Sequence, residues 1–413
     1  MTQIYHIDFP RLRQDLKDLG RIGRREDYGV YRQAFSEGDM AARAWLKQRI
    51  EDAGLTFHQD GAANLFGRLH WDTTRPSVMM GSHIDTVPAA GTLDGALGVL
   101  TALECLRSIK EQGIDTYYPL EMVAFSDEEG RFGGLFGSQA LCGELTPERI
   151  HQAVDLNGLS VSEAMARWDL NAMDALWARR EPESVHRYLE LHIEQGPVLD
   201  SMNLSVGAVE NIAGLFKWSI TLTGHANHAG TTPMHMRRDA FGGLAEFSGE
   251  LTRILEENGS AHSVATIGKV DLFPGIANTV PGRVSFSLDV RDSDPDVLAE
   301  MGVACRKALS AIGRRRNLMF DFKVLSALAP TPCDPSVVET VTACAQAMDL
   351  PIHRMNSGAV HDAQIMAGLT KMGMIFVPSK DGHSHSSSEW THWKDIETGA
   401  DLALNTLVRL AQA

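Results

Sequence analysis

The stretch SVMMGSHIDTVPAAGTLDG, residues 77–95, runs from an apolar segment into a loop of small residues. That loop carries His83, Asp85 and, just before a glycine, Asp94. Beyond it Leu100, Leu103 and Leu106 recur at helical spacing as far as Gly113, and PLEMVAF (119–125) reads as a strand that ends in the acidic loop SDEEG. Strands alternating with helices imply an α/β fold with a mostly parallel sheet, in which sites are built at the carboxyl ends of the strands.

Outward from this unit the pattern changes. Between about 210 and 327, Phe216, Trp218, Ile220 and Leu222 alternate as a strand, and Phe241, Leu244, Leu251 and Ile254 mark a helix ending at Asn258-Gly259. SVATIGKVDL (263–272) and Val284 to Val290 follow as strands, then a helix over 295–313 and a last strand, MFDFKVL (319–325). The order β-α-β-β-α-β is that of a ferredoxin-like split unit. A helix over 335–348, the strand MIFVP (374–378) and a helix over 395–412 then return to the first pattern, so the smaller domain reads as an insert in a larger one.

Composition limits the function. A chain of 413 residues exceeds a usual single core, and its hydrophobic content of 44% is that of a globular protein. A formal charge of -15 offers no dense cationic face for nucleic acid or an anionic membrane. The five cysteines are scattered without a CxxC pair, which speaks against a disulfide framework or thiolate-held zinc. With no apolar leader or membrane-length run, the expected location is the cytoplasm.

The polar residues collect at the ends of the expected strands. A carboxylate two residues from His83 can orient a ligating imidazole, so Asp85 is a candidate partner. Asp94 can reach back over the strand end as a bridging ligand or cap the helix that follows. In Glu128-Glu129, neighbours in extended backbone point opposite ways, so one carboxylate can bind metal while the other acts as a base. LELHIEQGP places His192 near a strand end, and DGHSHSSSEWT places His383 and His385 beyond another. Oxygen and imidazole donors without thiolate suit a two-metal hydrolytic site.

Taken together, GSHIDTV with GTLDG, SDEEG, LHIEQGP, GHANHAGTTPM, PGIANTVPG, DVRDSD and GHSHSSSEWT resemble, in order and spacing, the motifs of the dinuclear-metal amidohydrolases. That family includes N-carbamoyl-L-amino-acid hydrolase, allantoate amidohydrolase and β-ureidopropionase, within the aminoacylase and zinc-carboxypeptidase superfamily. The resemblance implies an α/β fold: a mixed-sheet catalytic domain (1–209 and 328–413) and an inserted ferredoxin-like lid and dimerisation domain (210–327). It implies that His83 and His192 hold one metal and Glu129 and His385 the other, with Asp94 bridging, often before a cis peptide that Gly95 would ease.

By the same resemblance Glu128 is the general base, Asp85 orients His83, and His228 stabilises the oxyanion across a homodimer interface. Gln195 contacts the ureido or amide group, and Asn278 and Arg291 bind the substrate carboxylate. His383 competes with His385, which motif alignment favours; His225 and His361 receive no direct role. The cofactors implied are two divalent ions per subunit, Zn²⁺ or Mn²⁺, with Co²⁺ or Ni²⁺ as further occupants. The implied activity is hydrolysis of the carbamoyl C–N bond of an N-carbamoyl-L-amino acid. The rivals are an allantoate amidohydrolase and a non-catalytic metal- or ligand-binding protein on the same scaffold.

Overall fold

In a computed structural model that describes residues 3–412, the chain forms two compact units. One comprises the described residues up to Glu210 and from Cys333 onward, the other Asn211–Pro332.

The first unit is organised by a mixed sheet to which it contributes eight strands. Its centre is four parallel strands in the order Leu120–Phe125, Ser77–His83, Val185–Ile193 and Lys371–Val377. Every residue of the first two is buried, as continuous apolar strands covered on both faces should be. Thr56–Gln59 and Leu65–Leu69 extend one side antiparallel; on the other Gly207–Ile212 runs antiparallel to Lys371–Val377, and His353–Ser357 pairs with it. The sheet is therefore mixed only at its flanks.

Helix Ala96–Glu111 is buried from Ala96 to Ile109. It lies so near the sheet that a Cβ on Gly98 would stand 2.4 Å from the carbonyl oxygen of Leu191, which only glycine permits. Register aligns the carboxyl ends of the central strands: His83 faces Phe125, and Phe376 faces His192. The loops that leave those ends start side by side.

Residues 132–178 form a satellite layer around Phe35, Phe132, Phe136 and Met165. Trp168 Nε1 donates to the carbonyl of Phe35 at 3.0 Å, and Arg180 reaches the fully buried carboxylate of Glu121 at 3.1 Å. This gives the stretch before Val185 a packing role.

The second unit is a five-stranded antiparallel sheet in the order Val270–Phe273, Arg283–Asp292, Gly214–Thr223, Met319–Leu328, with Val264–Thr266 also on Arg283–Asp292. Helices Ala240–Asn258 and Pro295–Arg316 pack through Phe247, Leu251, Cys305 and Leu309 into one core with Ile220, Phe286 and Leu288. The strand expected over 263–272 is broken in two. Thr266 pairs with Asp289 and Val270 with Phe286, so four steps on one strand match three on the other: a bulge.

All five cysteines are free thiols. Among the described residues no helix is long and apolar enough to cross a membrane.

Candidate metal centre

His83 is the last residue of its strand, His192 the penultimate residue of its own, and Glu128-Glu129 follow the strand that ends at Phe125. With Asp94 and His385 they gather at one place. Asp94 Oδ1 lies 3.2 Å from His192 Nε2 and 3.6 Å from His83 Nε2. Its Oδ2 lies 3.4 Å from His385 Nε2, which is also 3.4 Å from Glu129 Oε2. Of three donor groups among the described residues, His83-Asp94-His192 and Asp94-Glu129-His385 share one carboxylate, and the third, Glu190-His192-His361, shares His192 with the first.

These spacings fit a metal. Two ligands each about 2.0–2.1 Å from a tetrahedral zinc stand about 3.3 Å apart, the range seen here. The imidazoles are also set for it. His83 Nδ1 is 3.1 Å from the carbonyl of Asp85 and His192 Nδ1 2.8 Å from that of Ile193, which leaves each Nε2 as the lone-pair nitrogen. Glu129 Oε1 is buried without a hydrogen-bond partner among the described residues, a donor left for a cation.

Electrostatics agree. Burial pushes the carboxyls of Glu128 and Glu129 well above the usual range, helped by the charge of Glu129 on the first and of Asp94 on the second. Burial lifts Asp85 to about 7 and presses His83 down to about 4. Burial also opposes charge on His192, but its hydrogen bond to Asp94 prevails and raises it to about 9, so without a cation the ring also holds a proton on Nε2, which a metal ion would displace. Asp94 is held well below the usual range by His192 and His385 in spite of its burial, so a divalent cation would meet one carboxylate already charged and two from which it would displace protons.

Around Asp94 the chain departs from several expectations. The N-cap of helix Ala96–Glu111 is Gly95, and no side chain caps it; the Asp94 carboxylate is turned to the histidines. The one cis peptide among the described residues is Phe273-Pro274, so the Asp94-Gly95 bond is trans. Gly95 is required for another reason: at φ +60° it passes so near His83 that a Cβ would meet the ring at 2.4 Å. Asp85 also acts differently. Its carboxylate is 3.8 Å from His83 Nδ1 and instead accepts the amides of Glu128 and Glu129 at 3.3 and 3.2 Å, while its backbone carbonyl orients the ring.

Glu128 Oε2 lies 3.5 Å from His83 Nε2, whereas Glu129 Oε2 meets His385 Nε2. Gln195, at φ +59°, donates from Nε2 to Asp94 Oδ2 at 2.8 Å, and its Oε1 is buried without a partner among the described residues. His383 is exposed and outside both donor groups. His361 is buried edge-on against the His192 ring, with Nε2 2.9 Å from Ser357 Oγ.

His228, Asn278 and Arg291 belong to the second unit. His228 is exposed on the short strand Asn227–His228, and its Nδ1 accepts the amides of Gly230 and Thr231, so Nε2 carries the proton. Asn278 is its neighbour through the 2.8 Å bond from Ala229 N to Asn278 O. Arg291 sits half-buried on Arg283–Asp292, with Nε 3.0 Å from Asp289 Oδ1.

Two polar groups at the centre had no reading from the sequence. Glu190 is buried among Ser82, Tyr188 and the amide of Ala363. Glu389 is buried against Leu93, Asp94 and Ser384. The signal for Glu389 was its place as an acid in a serine-rich loop four residues past His385.

Among known proteins, the family described as Peptidase family M20/M25/M40 matches residues 79–409. An N-carbamoyl-L-amino acid amidohydrolase of Geobacillus stearothermophilus is 38% identical over 412 residues, which cover 98% of this chain and 99% of that one. An allantoate amidohydrolase of Escherichia coli K12 is 33% identical over 404 residues, 97% of each chain. The solved structure of an amidase of the hydantoinase/carbamoylase family from Burkholderia multivorans is similar at a TM-score of 0.87, with 33% identity and 99% of both chains covered.

Proposed function

The chain belongs to the M20/M25/M40 peptidase family, in its hydantoinase/carbamoylase amidase branch, and is a hydrolase; from that footing we propose that it cleaves the carbamoyl C–N bond of an N-carbamoyl-L-amino acid. Membership of a hydrolase family sets aside the non-catalytic reading. The observation that carries the proposal is the sharing of the Asp94 carboxylate between two donor groups, with Glu128 beside it.

His83 and His192 would hold one divalent ion and Glu129 and His385 the other, with Asp94 common to both. The donors suit Zn²⁺ or Mn²⁺, with Co²⁺ or Ni²⁺ as further occupants. Such ions supply an acidified water and a Lewis acid for the carbonyl oxygen. Glu128 takes a proton from the attacking water and returns it to the amino-acid nitrogen as the C–N bond breaks. The products are the amino acid and carbamate, which falls apart to ammonia and carbon dioxide.

Gln195 is assigned to the ureido group, and Asn278 and Arg291 to the substrate carboxylate, for which the planar guanidinium fork is suited. His228, with its proton on Nε2, is assigned to the developing oxyanion, donated from a second copy of the chain in a homodimer. Support for a carbamoyl amino acid over allantoate comes from the higher identity to the first relative, 38% against 33%.

The test is ammonia release by metal-loaded protein from N-carbamoyl-L-amino acids, β-ureidopropionate and allantoate, side by side. Turnover of the carbamoyl amino acids is expected to dominate. Preference for allantoate would replace the substrate while leaving the residue roles intact, and silence on all three with metal bound would overturn the reading.

A further inference from the structure

The loop that carries His385 also contains a buried carboxylate used neither as ligand nor as base. Glu389 is 4% exposed. Its Oε1 accepts the backbone amides of Leu93 and Asp94 at 2.9 and 3.1 Å, and its Oε2 lies 3.1 Å from Ser384 Oγ. The same hydroxyl lies 2.9 Å from Asp94 Oδ2. The chain wraps closely around this carboxylate: a Cβ on Gly91 would fall 2.3 Å from Glu389 Oε1.

Asp94 is thus gripped twice, at its backbone by Glu389 and at one oxygen by Ser384. The grip is one-sided. Oδ2, which faces His385, takes Ser384 and also Gln195 Nε2, whereas Oδ1 is approached by His83 and His192. The Ser384 hydroxyl takes one of the two lone pairs of Oδ2 and so fixes the direction of the other, which meets the Gln195 amide here and is the one that a cation shared with Glu129 and His385 would take in its place.

We propose that Ser384 and Glu389 are positioning residues that set the metal affinity of the Asp94-Glu129-His385 half of the site and leave the His83-Asp94-His192 half unchanged. The proposal rests on the reading of Asp94 as a bridge between two ions. Glu389→Gln keeps an oxygen for the two amides and turns an NH₂ to Ser384, leaving the serine proton for Asp94. Glu389→Ala removes the acceptor of two buried N–H groups as well.

The experiment is titration of metal-free, full-length protein with Zn²⁺ by calorimetry, repeated with Co²⁺ read by visible absorption, for wild type, Ser384→Ala, Glu389→Gln and Glu389→Ala. Ser384→Ala is expected to weaken one of two binding steps by about 10–100-fold, the range for loss of a partner behind a ligand, with the other step unchanged. Glu389→Gln is expected to bind at least as tightly as wild type, because it no longer competes with Asp94 for the serine proton. Glu389→Ala should follow Ser384→Ala where it folds, and the other two variants decide the matter where it does not. If wild type binds two ions and Ser384→Ala weakens both steps equally or neither, the proposal fails while the metal site stands. If wild type binds fewer than two, the bridging reading fails and takes the proposal with it.

Discussion

Gly95 leaves open the space that the His83 ring fills: a Cβ on Gly95 would stand 2.4 Å from His83 Cε1 and 2.5 Å from both ring nitrogens. His83 and Gly95, twelve positions apart, are therefore coupled by the absence of a side chain between them.

Gly95→Ala should displace His83 and also strain a backbone at φ +60° that glycine alone takes freely. The expected outcome is loss of the ion assigned to His83 and His192, and a fall in kcat of about a hundredfold or more, the scale on which misplacing catalytic groups by an ångström is felt. Metal content after dialysis checks the first and steady-state kinetics the second.

The paired histidines of the HSH sequence separate cleanly. Both are exposed, but His385 lies 3.4 Å from both Asp94 and Glu129, whereas His383 belongs to neither donor group. His385→Ala should lose one ion and nearly all turnover, and His383→Ala should keep both within about twofold, as surface changes usually do. Metal analysis of the two variants would show a reversed assignment at once.

Removal of metal should loosen the first unit. Burial raises Glu128 and Glu129 far above the usual carboxylate range, so without metal these groups hold protons that a cation displaces. Uptake should therefore release protons and tighten as pH rises. An ion present at a hundredfold excess over its Kd stabilises the fold by about 2.7 kcal/mol. Melting curves with and without chelator, and titrations in buffers of different ionisation enthalpy, test both statements.

Glu121, fully buried in the central sheet, is met by Arg68 at 2.8 Å, Ser77 at 2.6 Å and Arg180 at 3.1 Å. Arg180→Ala removes one of three partners and should cost about 1–3 kcal/mol, the range for an under-satisfied buried polar group. Denaturant unfolding reads that loss, and turnover by the folded fraction should be little changed.

What was legible in the chain follows from how each residue acts. His83, Glu129 and His192 were readable because polar residues at the ends of apolar runs must sit at strand termini. Asp94 was readable as a ligand or a cap, and only the structure turns its carboxylate away from the helix amides. Asp85 was given the right neighbourhood and the wrong atom, since beyond a strand end no periodicity says where a side chain points. Glu389 was missed because its work is done on backbone amides almost three hundred residues away, a relation that local pattern does not carry. In the second unit, a strand with one residue too many looks continuous in hydrophobicity, and its bulge appears only in the register. His228, Asn278 and Arg291 stood out through family resemblance alone; as isolated residues each reads as surface.

The division of labour between Glu128 and Glu129 is the centre of the account, and one pair of variants tests it directly. Metal content and kcat should be measured for Glu128→Gln and Glu129→Gln with an N-carbamoyl-L-amino acid as substrate. A base that is not a ligand predicts that Glu128→Gln keeps both ions and loses about a hundred- to ten-thousandfold in kcat, while Glu129→Gln loses an ion. A Glu128→Gln protein that turns over normally, or that sheds metal as Glu129→Gln does, would contradict it.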